Sequence, residues 1–350
     1  MAPSSSWSGL VEELLESIFN RLEDRVDVFR CGLVCAPWRA MALKIYPKFM
    51  PLLFYPDKTL EENTKATMLN IATGETLKLD LQETYREMIP CSSSSNGWFL
   101  TIGHDYQLNL LNPVSNTRIE LPQIPDMQPP IVWGGNYICK TRVSTSSCPL
   151  NPGCLVLICY RDGCGLVFCG VGDKEWKALN ISTNSLFLKP LDTITWYNGK
   201  FYVIDRSRRV WGCNLSSRTL ELACELPNST RYCYPYTFYL AESFFGELLL
   251  VLRAGNRHFR VLRLDLGRKE MDEVTRLRKQ ALFLGSDGSA LVHMDNTRSI
   301  RGDCIYFMDP GKPHHLLVYD INTNNTIEWL PEIVTGDQHY WTMPYLSTHS

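Results

Sequence analysis

No stretch of this 350-residue chain approaches the roughly twenty consecutive apolar residues of a membrane-spanning helix. The first ten residues also lack the basic and apolar segments of an export signal. Neither sign of charge is in excess: 35 Lys+Arg stand against 37 Asp+Glu. The resulting net charge of −2 gives no electrostatic footprint for nucleic acid or for an anionic membrane. The expected compartment is reducing, cytoplasm and/or nucleus. The 13 cysteines, an odd number, then read as free thiols rather than as a disulfide framework.

Catalytic signatures are missing as well. G-x-S-x-G, H-E-x-x-H and P-loop patterns do not occur. Seven histidines form no recognisable base or ligand set, and His314-His315 reads as a loop pair ahead of a strand. The densest thiol cluster is Cys139, Cys148, Cys154, Cys159, Cys164 and Cys169, without a single Cys-x-x-Cys. Zinc sites favour paired spacing with converging ligands, whereas cysteine in strands is usually buried packing. The expectation is therefore no catalytic residue, no metal and no cofactor.

What the chain does have begins with Trp7 to Ala42. Leu10, Leu14, Ile18 and Leu22 recur every four residues, with Leu15 and Phe19 one step round, which predicts a helix with a broad apolar stripe. A second run, Val26, Phe29, Leu33, Val34 and Trp38, is interrupted by Gly32 and Pro37, so a unit of three short helices over 7–45 is expected. Some forty residues are near the lower limit for burying a core alone, and such a unit calls for a partner surface. Residues 1–6 read as a disordered Ser-rich tail.

From about residue 50 the helical period gives way to β-branched and aromatic runs broken by Gly, Asn, Asp, Ser or Pro. One unit recurs: an apolar strand, an Asn or Asp, a polar turn and a second strand. It is anchored at Asn70, Asn112, Asn214, Asp265 and Asp320, and a degenerate copy starts at Leu166 in the one double gap. A glycine precedes an apolar strand in phase with it, at Gly97, Gly153, Gly199, Gly246 and Gly302. Six units about fifty residues apart, each with three or four short strands, predict a six-bladed β-propeller over 50–346. Seven blades are the alternative, because 122–152 is irregular. The first unit has room for only three strands, so a strand near Tyr340-Trp341 is expected to return and close the ring.

Two sets of phrases now point to a family. Trp7-Ser8-x-Leu10-x-x-Glu13-Leu14-Leu15-x-x-Ile18, Asp27-x-Phe29-Arg30 and Val34-Cys35-x-x-Trp38-Arg39 resemble an F-box. Leu111-Asn112-Pro113, Asn198-Gly199-Lys200-Phe201-Tyr202, Glu242-Ser243-Phe244-x-Gly246-Glu247 and Gly302-Asp303-Cys304-Ile305-Tyr306-Phe307 resemble the kelch-like propeller of plant F-box proteins. One departure is Leu10-Val11, where the family has Leu-Pro; proline suits a first helical turn because it lacks an N–H.

The resemblance implies a non-catalytic substrate receptor of a Skp1-cullin-F-box ubiquitin ligase. Its F-box would bind the Skp1-type adaptor, and cullin through it, while the propeller holds a protein substrate through residues the sequence does not name. Carried over by position, adaptor contacts would involve Leu10, Val11, Leu14, Leu15, Ile18, Leu22, Val34, Cys35 and Trp38. A propeller enzyme or small-ligand sensor, with the helical unit as a cap, is the alternative. Arg206-Ser-Arg208-Arg209 and Arg276-Leu-Arg278-Lys279 read as solvated loops. The stretch Arg268–Gln280 reads as either a short helix or a last strand with its loop.

Overall fold

Every anchored repeat folds as an antiparallel hairpin on the outer side of its sheet, and the reason lies in the turn. The anchor and the residue five positions on are paired, as in Asn112↔Thr117, Asn214↔Thr219, Asp265↔Glu270 and Asp320↔Asn325. The four residues between form the loop, and its last residue takes a left-handed conformation: Gly74, Asn116, Arg218, Lys269 and Asn324 all have φ between 53 and 72°. The anchor side chain caps the loop: Asp265 Oδ1 accepts from the N–H groups of Gly267 and Arg268, and Asn214 Oδ1 from that of Ser217. Asn and Asp are therefore selected because they can bond to backbone two or three residues ahead. In the degenerate third repeat the cap has moved: Asp173 Oδ2 accepts from Gly170 N–H behind it.

The computed structural model describes residues 7–22, 31–32, 34–35, 37–38 and 41–42. Between 52 and 342 it describes all but 57–64, 72–73, 81–87, 94–96, 104–105, 114–115, 125–130, 134–135, 139–140, 161–163, 181–190, 227–235, 256–257, 286–288, 294–299, 310–311 and 331–339. The predicted tail 1–6, the second-helix residues Val26, Phe29 and Leu33, and Cys139 lie outside the described residues. Of the three expected helices, only Glu12–Phe19 is described from end to end, so a three-helix unit is not shown.

The remainder is mainly β: six blades in a ring. Blade one comprises Leu52–Pro56, Lys65–Asn70 and Thr76–Asp80, with Tyr340–Thr342 as its inner strand. Blade two is Met88–Ser93, Phe99–Gly103, Leu108–Asn112 and Thr117–Glu120. Arg142–Thr145, Leu155–Tyr160, Gly165–Gly170 and Lys177–Ala178 form blade three. Blade four is Leu191–Tyr197, Lys200–Asp205, Arg209–Asn214 and Thr219–Glu225, and blade five is Tyr236–Glu242, Leu248–Ala254, His258–Asp265 and Glu270–Glu273. The irregular stretch 122–152 holds a small hairpin, Ile131–Trp133 with Asn136–Ile138, rather than a seventh blade.

Blade six departs from the pattern with five strands. Gln280–Leu284 lies between the inner strand Ser289–His293 and Cys304–Asp309, and it runs parallel to the latter with Ala281 opposite Cys304. Lys312–Asp320 and Asn325–Leu330 complete the sheet, which puts His314 and His315 inside a strand rather than ahead of one. The undecided stretch Arg268–Gln280 resolves as the strand Glu270–Glu273 followed by an irregular crossing. That crossing explains Gly302. The other glycine markers have positive φ (71–79°), whereas here Asp303 takes the left-handed conformation. A Cβ on Gly302 would come within 2.8 Å of Lys279 Cα, so its role is to let the two backbones pass.

Tyr340–Thr342 pairs with Leu52–Pro56, Leu53 opposite Trp341, as expected of a closing strand. Trp341 Nε1 donates to Leu284 O (3.0 Å) and the indole meets Phe283 edge-on at 5.1 Å, tying blade one to blade six. Inner strands are linked across blades by short side chains: Ser92 Oγ accepts from Val143 N–H (3.2 Å), Asp192 Oδ2 from Phe238 N–H (3.0 Å), and Ser289 Oγ donates to Leu240 O (2.8 Å). These bonds satisfy edge groups that four-stranded blades would otherwise leave open.

Candidate functional site

The N-terminal unit sorts its apolar residues into a small core and an exposed rim. Glu12–Phe19 starts after Val11, whose carbonyl accepts from the N–H groups of Leu14 and Leu15. Val11 has an extended backbone (φ −68°, ψ 153°) and no side-chain cap. The position where the family carries proline is thus the N-cap rather than the first helical residue, and its φ is one that proline would share. Glu12 and Glu13 in the first turn suit the positive end of the helix dipole.

On the inner side, Leu15 and Phe19 pack with Trp38, Met41 and Ala42, and Leu10, Ile18, Leu22, Cys31 and Cys35 are half-buried against them. Trp38 joins the ends of the unit: its Nε1 donates to Trp7 O (2.9 Å), and its ring meets those of Trp7 at 6.2 Å and Phe19 at 5.8 Å. Facing outward are Val11, Leu14 and Val34, at 58, 54 and 60% exposure. Three of the nine residues carried over from the family are therefore exposed, four are half-buried (Leu10, Ile18, Leu22, Cys35), and two, Leu15 and Trp38, belong to the unit's own core. Trp7, 68% exposed, continues the outward set and was missed, because the repeat every four residues begins only at Leu10.

Burial pushes the thiols of Cys159, Cys169 and Cys213 up to about 12, which leaves them protonated packing groups. Among the described residues, no three His, Cys, Asp or Glu are grouped as a metal set. Of the basic cluster read as a solvated loop, Arg209 is instead buried: its Nε and Nη2 reach Asp205 Oδ2 at 3.0 and 2.9 Å. Trp211 Nε1 donates to the same oxygen (3.1 Å), and the Arg209 backbone N–H to Asp205 Oδ1 (3.1 Å), so a fully buried carboxylate has four donors. The large exposed apolar groups include Phe244 and Phe245 at the first turn of blade five.

Among the described residues, a concavity lies at the outer rim between blades five and six. It holds about 480 Å³ and is lined by Phe259 to Val261, Glu273 to Arg276, and Tyr319, Ile321, Asn322 and Asn324. Within it Arg260 closes on Glu273 through two hydrogen bonds, Nε to Oε1 (2.9 Å) and Nη2 to Oε2 (3.1 Å). The arginine holds the Glu273 carboxyl below the usual carboxylate range.

Comparison with known proteins agrees with this architecture. Two Arabidopsis thaliana chains named as F-box proteins resemble it along their lengths: At5g55150 is 28% identical over 98% of each chain, and At4g17565 is 28% identical over 97% of this chain and 94% of its own. The Arabidopsis F-box protein SKIP23 is 24% identical over 62% of this chain and 57% of its own. Residues 68–320 match the family model described as the KIB1-4 beta-propeller, which does not carry the kelch-like description. That span includes every strand of blades two to five, most of blade six and part of blade one, and on it the chain belongs to the KIB1-4 beta-propeller family.

Proposed function

We propose that this chain is the substrate-recognition subunit of a Skp1-cullin-F-box ubiquitin ligase, acting in the cytoplasm and/or nucleus. Its N-terminal unit, about residues 7–45, binds the Skp1-type adaptor and through it cullin. The propeller, about 50–346, holds the protein to be ubiquitinated. The observation that carries this reading is the division of labour in the first helix. Leu15 and Phe19 belong to the small core, while Val11 and Leu14, on the same eight-residue helix and its cap, stand in solvent, as do Trp7 and Val34 of the same unit. An exposed apolar strip on so short a helix is the surface expected of helix-on-helix docking. No chemistry is asked of the receptor: by holding substrate close to a ligase it raises the effective concentration of acceptor lysines.

Co-expression with a Skp1-type adaptor, followed by pull-down, tests the reading. The intact chain should retain the adaptor, and Leu14→Asp should lose it with an unchanged melting temperature, since Leu14 is more than half exposed. If the intact chain fails to retain the adaptor, or Leu14→Asp retains it fully, the receptor assignment is wrong.

A further inference from the structure

The outermost strand of blade five ends early, and the cleft at the rim is the space it leaves. His258–Asp265 is eight residues long, but Glu270–Glu273 pairs only with its second half, from Leu262 to Asp265. One more bond, Val274 N–H to Val261 O, follows before the chain turns away. Because Val261 presents its backbone groups outward, so does Phe259, two residues along. Its rung would have paired with Arg276, which instead lines the cleft. The Phe259 carbonyl has only the Tyr319 hydroxyl at 3.5 Å, a hydroxyl that also donates to Asn324 Oδ1 at 2.8 Å.

Side chains supply the rest of the recognition chemistry. Half-buried Val274 and Ile321 give the cleft its apolar side chains, packed over the buried Phe259 and Val261. The charge of Arg260 is neutralised by Glu273. Arg276 is exposed on the same cleft, and no described carboxylate pairs with it. The cleft therefore offers a strand edge whose Phe259 rung has no strand partner, an apolar recess and one cation that no described carboxylate pairs. We propose that it takes a short extended segment of a partner protein, added as a strand beside Phe259, with an apolar side chain in the recess and a carboxylate at Arg276. Main-chain bonding supplies affinity in such strand addition, and the side-chain pockets supply selectivity. The inference rests on the propeller's being the substrate-binding half of the receptor.

Panning a phage-displayed library of random twelve-residue peptides on the full-length chain, with anisotropy on the recovered peptides, tests it. The recovered peptides should combine a β-branched or aromatic residue with a nearby Asp or Glu. Arg276→Glu should bind them about tenfold more weakly, and exchanging the peptide's acid for Lys should restore binding to that variant. Methylating the peptide amide beside the apolar residue should weaken binding of the wild type by a similar factor, since it removes a main-chain donor. Recovery of no such peptides, or equal binding by wild type and Arg276→Glu, overturns the proposal, as does full binding by free acetate-capped amino acids in place of peptide. Retention of the adaptor, assayed on the same preparations, reports separately on the receptor reading. Loss of adaptor with peptide binding intact would sink that reading and leave the cleft assignment standing.

Discussion

Buried thiols set how this protein should respond to alkali. Cys159 and Cys213 lie between blades three and four, at 1 and 2% exposure, and burial pushes both to about 12. In the unfolded chain they would ionise at the usual value for a thiol, near 8.5. A group whose folded pKa is raised contributes fully below its unfolded pKa and loses that contribution as pH rises. Each such thiol should therefore cost on the order of 1.4 kcal/mol per pH unit above about 9. Melting temperature should fall steadily between about pH 9 and 11, and Cys213→Val should flatten that slope while changing little at pH 7. An unchanged slope in the variant would show that this thiol does not ionise on unfolding. The same burial predicts that iodoacetamide modifies exposed Cys164 ahead of Cys159 and Cys213 in the folded chain.

At the level of elements, glycine positions that look alike in sequence do different work. Gly199 is the second residue of the tight Asn198-Gly199 turn between Tyr197 and Lys200, with φ 79° and open space where a Cβ would lie. Gly302 has ordinary φ but no space, because the crossing at Lys279 runs against it. Asn tolerates left-handed conformations, so Gly199→Asn should cost a few tenths of a kcal/mol whereas Gly302→Asn should cost roughly 1–3 kcal/mol. Urea midpoints of the two variants measure this, and equal midpoints would contradict the steric account. The contrast also shows what was legible. Hairpin anchors, glycine markers and the returning strand are local signals, and they placed the six blades and the closure. The inserted strand Gln280–Leu284 was not legible, because its partner Cys304–Asp309 is parallel and distant, and the marker Gly302 keeps the same spelling for a different reason. On the N-terminal unit, periodicity located the apolar stripe but could not divide it. Leu14 and Leu15 are equally apolar in sequence, and only packing against Trp38 and Met41 makes one core and the other surface.

For the whole molecule, the ring holds because its last strand belongs to its first blade. Leu52–Pro56 has Lys65–Asn70 on one side and depends on Tyr340–Thr342 for the other. Trp341 is the centre of that junction, 5% exposed and packed with Leu53 and Tyr55 of blade one and with Ala281, Phe283 and Tyr306 of blade six. Trp341→Ala removes a large buried ring and the Leu284 hydrogen bond, a change that typically costs about 3–5 kcal/mol. Its effect should exceed that of an equally large deletion away from the closing strand, such as Trp211→Ala between blades three and four. Losing the blade-one to blade-six contact also exposes a strand edge in each direction, and unpaired edges recruit other chains. Trp341→Ala should therefore lower the urea midpoint and add oligomers on size-exclusion chromatography, whereas Trp211→Ala should lower the midpoint alone. Should both variants stay monomeric with the same midpoint, the closing strand would be one more packed strand, and the stability of the ring would reside in its blades rather than in the junction.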